Sequence, residues 1–228
     1  MSRQERTAWD ERFRAGDHAG AEPDPFLAKI EEYAELFASV GRTGQKAGTK
    51  AGPKAVGPKA VGQKAGRQKA LDLACGAGRN AVYLAERGWD VTACDISLEG
   101  LRKAQVLAEE RGVRLQLFCQ DLEAVRLPAE RFDLVLCFFY LQRELFPQIK
   151  ATLRPGGLVV FKTYTTDQLR FPGRPRHALN MLRPQELLDA FRDFRVLAYQ
   201  ESVQDRGVAQ LIAQKPPGAI RGSSEPRA

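Results

Sequence analysis

Leu71-Asp72-Leu73-Ala74-Cys75-Gly76-Ala77-Gly78-Arg79-Asn80 decides the fold: an apolar, strand-like run ends in a glycine turn, and a helical pattern opens directly after it. Glycines at 76 and 78 let the backbone turn tightly and approach a ligand closely, and the helix that follows offers that ligand its free N–H groups. With Ala81 the run also fits the dinucleotide pattern G-x-G-x-x-A, so a nicotinamide or flavin site is a rival reading at this point.

Downstream of this turn, short apolar runs alternate with helical segments, the signature of βαβ units feeding a parallel sheet. Strands are expected at 70–74, 90–94, 114–119, 132–137, 157–163, 194–200 and 207–214. The clearest helix runs from a Ser97 cap through Leu98, Leu101, Ala104 and Ala108 to a stop at Gly112. Only residues 201–206 join the last two strands, too few for a parallel crossover, so those strands pair antiparallel. The expected fold is therefore α/β: a Rossmann-like, seven-stranded, mostly parallel sheet with an antiparallel C-terminal hairpin strand and helices on both faces.

Upstream, Asp24 and Pro25 supply an N-cap and a first-turn proline, and Phe26, Ile30, Tyr33, Phe37 and Val40 recur at helical spacing. Residues 1–41 read as an N-terminal helical cap. Residues 42–69 form a basic, low-complexity insert in which K-A-G or K-A-V-G recurs without a bulky apolar group to bury, so it reads as disordered. The catalytic-type domain spans 70–214, and 215–228 read as a disordered tail. The formal net charge of +7 belongs to the insert, whose eight basic residues and lack of acidic ones leave about −1 for everything else.

That charge distribution bears on partners. A lysine-rich segment can bind phosphate backbones, but here it has no interleaved aromatic residues and no RNA-binding motif, so a nucleic-acid partner is a secondary reading. No run approaches the length of a membrane span, and residues 1–17 lack an apolar core, so a soluble, cytoplasmic protein is expected. Cysteines 75, 94, 119 and 137 stand far apart with no C-x-x-C pair. No metal site is expected, and all four read as small apolar packing groups. The sequence carries no oligomer signature.

The chemistry lies in three acids. Asp72 sits inside the first strand, four residues before Gly76, where a dinucleotide fold places an apolar residue; a carboxylate there suits a cationic amino acid and repels a pyrophosphate. Asp95 ends the second strand, at the edge of the sheet where it can accept from ribose hydroxyls. Asp121 follows the third strand, within reach of an adenine amino group. Acids after strands one, two and three suit an adenosyl amino acid better than a dinucleotide.

L-D-L-A-C-G-A-G-R-N, Asp95, the Asp121-Leu122 pair, F-D-L-V-L-C-F-F-Y at 132–140 and L-R-P-G-G-L at 153–158 together resemble the class I S-adenosylmethionine-dependent methyltransferases. W-D-E-R-F at 9–13 and Pro25-Phe26-Leu27 further resemble the small bacterial tellurite-resistance-type members. The resemblance implies S-adenosyl-L-methionine as cofactor. It places Asp72 and the Gly76-Ala77-Gly78 turn on the methionine moiety, Asp95 on the ribose, Ile96 and Leu122 on the adenine faces and Asp121 on its amino group, with Ala74, Asn80 and Cys137 also among the cofactor-binding residues. It also implies in-line methyl transfer to a small-molecule acceptor, with alignment as the protein's main contribution.

Candidate acceptor-site residues are Trp9, Arg12, Phe13, Tyr140, Tyr164, Arg174, Arg176 and His177; should the acceptor need deprotonation, the candidate bases are the two histidines, His18 and His177, and tyrosines such as Tyr140 and Tyr164. Two rivals stand beside this reading. One is an RNA or DNA methyltransferase tethered by the insert, although Cys137-Phe138-Phe139-Tyr140 stands where base-modifying members carry N-P-P-Y. The other is a non-catalytic nucleotide-binding protein.

Overall fold

The computed structural model describes residues 3–17, 20–33, 67–172 and 177–217. Seven strands, β1 (Lys69–Leu73), β2 (Asp90–Asp95), β3 (Gln116–Cys119), β4 (Phe132–Phe138), β5 (Leu153–Tyr164), β6 (Arg195–Ser202) and β7 (Val208–Gln214), form one sheet in the order β3-β2-β1-β4-β5-β7-β6. β1 to β5 pair in parallel, and β7 is antiparallel to both β5 and β6. The short 203–207 connection forces that last reversal, since it turns the chain back without crossing the sheet.

Alternation along the central strands explains why helices cover both faces. On β4, Val135 and Cys137 point into one core cluster while Leu134, Leu136 and Phe138 point into the other; on β5, Val159 and Phe161 oppose Leu158 and Val160. Every side chain of β4 is buried, as a strand sandwiched between two layers requires. One face packs against α5 (Leu145–Thr152) and α6 (Glu186–Ala190), joined by the ring cluster of Phe146, Phe161, Phe191 and Phe194. The opposite face packs against α3 (Arg79–Glu86) and the segment holding Phe26, Leu27 and Ile30. α4 (Leu98–Glu110) buries Leu101, Ala104 and Ala108, and Ser97 caps it by accepting the Gly100 N–H at 3.0 Å.

Before the sheet, α1 (Arg3–Arg14) lies against α4, and α2 (Pro25–Ala28) passes into a 3-10 turn at Lys29–Tyr33. The apolar spacing from Phe26 to Val40 predicts a single amphipathic helix; the chain instead tightens after four residues. Asp24 caps the start by accepting the Phe26 N–H at 2.9 Å, and the Tyr33 hydroxyl then donates to the Leu197 carbonyl at 3.1 Å. Phe37 and Val40, most of the 42–69 insert and the tail from 218 onward lie outside the described residues. Among the described residues no helix is long and apolar enough to cross a membrane.

Candidate functional site

The strand order reverses between β1 and β4, and an open sheet binds ligands at the carboxyl ends of strands at such a point. A cavity of about 870 Å³, its open mouth included, lies there. The strands that build it leave two non-glycine residues in the left-handed region directly beyond their ends: Ala74 at φ 56° after β1 and Phe139 at φ 56° after β4. Both line the cavity. A bulky aromatic residue such as Phe139 adopts this conformation at a cost on the order of 1–3 kcal/mol, and such strain collects where a side chain must be aimed. Its backbone is held by the Lys162 carbonyl at 2.7 Å and its ring by Tyr164, 5.1 Å between centroids.

Asp72 forms the floor. Alternation along β1 sends Leu71 and Leu73 to one core and Asp72 to the other face, beneath the start of α3. Its carboxylate is buried and accepts the Ala81 backbone N–H, while Oδ2 has no hydrogen-bond partner. Burial, reinforced by the nearby Asp95 charge, pushes its pKa up to about 8. An unpaired oxygen in so dry a place is costly, and a cationic or donor group brought beside it removes the cost.

Asp95 forms the second wall. Its Oδ2 accepts the Gly76 N–H at 2.8 Å and its Oδ1 the Ser97 N–H at 2.9 Å, so the turn and the start of α4 fix the carboxylate in one orientation. Each oxygen keeps a lone pair for a further donor. Burial raises its pKa, and the backbone hydrogen bonds act against that rise.

Of the residues singled out from sequence, Asp72, Ala74, Gly76, Ala77, Asn80, Asp95, Ile96, Leu122, Trp9, Phe13 and Tyr140 line this cavity. Gly78, Asp121 and Cys137 do not. Gly78 instead serves packing, because a Cβ there would stand 2.5 Å from the Ala104 Cβ. Asp121 turns back to accept the Glu123 N–H at 2.9 Å, and its neighbour Gln120 takes the place at the cavity wall. Cys137 is fully buried below the floor, 3.6 Å from the Tyr140 carbonyl.

Arg12 stacks over the Trp9 ring at 4.6 Å, Tyr164 packs on Phe139, and His177 is exposed; none lines the cavity. His18, Arg174 and Arg176 lie outside the described residues. Sequence reading missed Cys75, Arg79, Gln120, Phe138 and Phe139. Arg79 and the aromatic pair stand inside motifs already quoted, but their facing depends on how α3 and the end of β4 turn.

The cavity's titratable groups define its chemistry. Burial drives the Cys75 thiol well above its ordinary value, so it packs as an apolar group. Cys94 is pushed up to about 12 by the same cause. Cys119 departs from the expected packing role: on the edge strand β3 it is exposed, its sulfur 3.4 Å from the Ile96 carbonyl. Tyr140 is held protonated by burial and donates to Gln142 Oε1 at 3.0 Å. Among the described residues no cluster fit to hold a metal is present. The arrangement is an aromatic-walled slot with one acidic position, Asp72, on its floor and another, Asp95, in its wall.

Residues 70–157 match the family model described as a methyltransferase domain. The chain is similar to a malonyl-[acyl-carrier protein] O-methyltransferase of Salmonella typhimurium, 33% identical over 146 residues that cover 58% of the chain and 56% of the relative. It is also similar to a ubiquinone biosynthesis O-methyltransferase of Coxiella burnetii, 36% identical over 98 residues, covering 41% and 42% respectively. The chain thus spans about half the length of the curated relatives it matches. TehB from Haemophilus influenzae shares the fold, with a TM-score of 0.57 and 23% identity over 66% of this chain and 58% of that one.

Proposed function

We propose that the chain transfers a methyl group from S-adenosyl-L-methionine to a small-molecule acceptor. The observation that carries this is the buried Asp72 Oδ2, unpartnered at the floor of the cavity. An α-ammonium group is the natural occupant beside it, whereas the pyrophosphate of a dinucleotide would leave that oxygen unpaired and would face the Asp95 carboxylate. Asp95, fixed by Gly76 and Ser97, would accept from the ribose hydroxyls. Ile96 and Leu122 would flank the adenine, with Gln120 at its edge. The residues present therefore fit the cofactor.

When bound, S-adenosylmethionine supplies an activated methyl on a sulfonium centre. The protein's part is to align the acceptor and keep water out, and alignment alone is worth up to about 7–11 kcal/mol in well-oriented systems. Phe138, Phe139, Tyr140, Trp9 and Phe13 form the apolar walls suited to that task. Tyr140 keeps its proton and orients an acceptor through its hydroxyl group rather than by taking a proton from it. The names of the two curated relatives, both O-methyltransferases, favour an oxygen acceptor.

Thermal shifts with S-adenosylhomocysteine and with nicotinamide dinucleotides test this reading. Stabilisation by the former alone, lost in Asp95→Ala, is expected. Stabilisation by a dinucleotide, or an undiminished shift in Asp95→Ala, would contradict it.

A further inference from the structure

Asp10 lies outside the cavity, yet it joins the first helix to the site's acidic wall. Its Oδ1 accepts the Ser97 hydroxyl at 2.6 Å and the Glu99 backbone N–H at 3.1 Å. The same Ser97 donates its own N–H to Asp95 Oδ1 at 2.9 Å, and the Gly76 N–H holds Asp95 Oδ2 at 2.8 Å. One continuous hydrogen-bonded path thus runs from α1 through the start of α4 to the carboxylate assigned to the ribose.

One turn farther along α1, the Phe13 ring settles into a groove bounded by two glycines. A Cβ on Gly100 would stand 2.9 Å from that ring, and a Cβ on Gly76 would stand 3.1 Å from it. Arg14 pairs with Glu99 at 3.0 Å, and Lys103 donates to the Phe13 carbonyl. Phe13 is the one buried side chain of α1 among the described residues, and residues 4–8 are exposed. An element with so small a buried face opens at low free energy. The bonds of Asp10, Arg14 and Lys103 are among the polar anchors that keep it closed.

We propose that Asp10 is a positioning residue that fastens α1, with Trp9 and Phe13, over the cavity and, through Ser97, holds the Asp95 carboxylate toward the ligand. Ser97 caps α4 by accepting from Gly100, a hydrogen bond that does not include Asp10. The carboxylate at the start of α4 also meets the favourable end of the helix dipole. The cofactor-facing half of this assignment rests on the function proposed above; the fastening of α1 does not.

The test uses the full chain in a Trp89→Phe background, in which Trp9 is the only tryptophan. Acrylamide quenching of Trp9 in the ligand-free protein reads the fastening, and stopped-flow release of S-adenosylhomocysteine reads its effect on the site. Asp10→Ala is expected to make Trp9 more quenchable and to speed release roughly tenfold, the size of one lost hydrogen bond. The KM for the cofactor should rise more than kcat falls. Asp10→Asn, which keeps an acceptor oxygen for Ser97, should restore most of both. Quenching and release within twofold of the parent protein in Asp10→Ala would overturn the proposal. A parent protein whose Trp9 is shielded in an Asp10-dependent way but which takes up no S-adenosylhomocysteine would overturn the cofactor reading and leave the fastening in place.

Discussion

Gly78 and Ala104 touch so closely that a Cβ on Gly78 would fall 2.5 Å from the Ala104 Cβ and 3.1 Å from its Cα. The contact seats α3 against α4, and Gly78 meets it in the left-handed region, at φ 78°. Gly78→Ala therefore faces both steric overlap with backbone and a disfavoured dihedral. A loss of about 2–4 kcal/mol is expected in chemical denaturation. A loss below about 0.5 kcal/mol, within the range of ordinary surface changes, would show that the helices slide apart freely.

Asp72 gives the fold a signed dependence on pH. Its folded-state pKa is raised from 3.8 to about 8, so the fold holds a proton that the unfolded chain has already released. Its contribution is thus most favourable below about pH 4 and is lost as pH rises toward 8. Asp72→Asn removes this dependence. The thermal midpoint of the variant minus that of the parent should grow steadily across that window, as read by scanning calorimetry. A difference that stays constant with pH would mean that Asp72 titrates normally.

Arg143 pins the chain that follows β5. Its guanidinium donates to the carbonyls of Leu179 and Met181, each at 3.0 Å, and pairs with Glu186, which in turn accepts the Arg183 N–H at 2.8 Å. The hydrogen bond from Arg143 holds the Glu186 pKa below its usual value, so this contribution is present above the carboxylate range and is lost as pH falls through it. Arg143→Ala should cost on the order of 1 kcal/mol, since half-exposure screens the pair. It should also speed hydrogen exchange at residues 179–186. Unchanged exchange there would contradict the pinning role.

Local sequence carried the strands well, because β4 and β5 are buried on both sides and every second residue declares its face. The glycine turn was legible because a strand, a turn and a helix follow one another directly in the chain. What local sequence left open depends on distant chain segments meeting. Asp10 touching Ser97 across a separation of 87 residues has no local signal. The exchange of Asp121 for Gln120 at the cavity wall reflects a side chain bonding its own loop instead of facing inward, a choice that Asp makes readily in turns. Gly78 belongs to the quoted motif but answers to Ala104, which only tertiary packing brings near.

A cation that settles against the orphaned oxygen of Asp72 displaces a proton from it, and that proton can be counted. Titrating S-adenosylhomocysteine into the protein near pH 7, in buffers of different ionisation enthalpy, reports protons released per ligand bound. With its folded pKa at about 8, Asp72 starts largely protonated and must ionise to receive the ammonium. Most of one proton should leave on binding, and Asp72→Asn should abolish that release while weakening affinity roughly 10–100-fold. Binding without proton release, or an equal release from the variant, would contradict the claim.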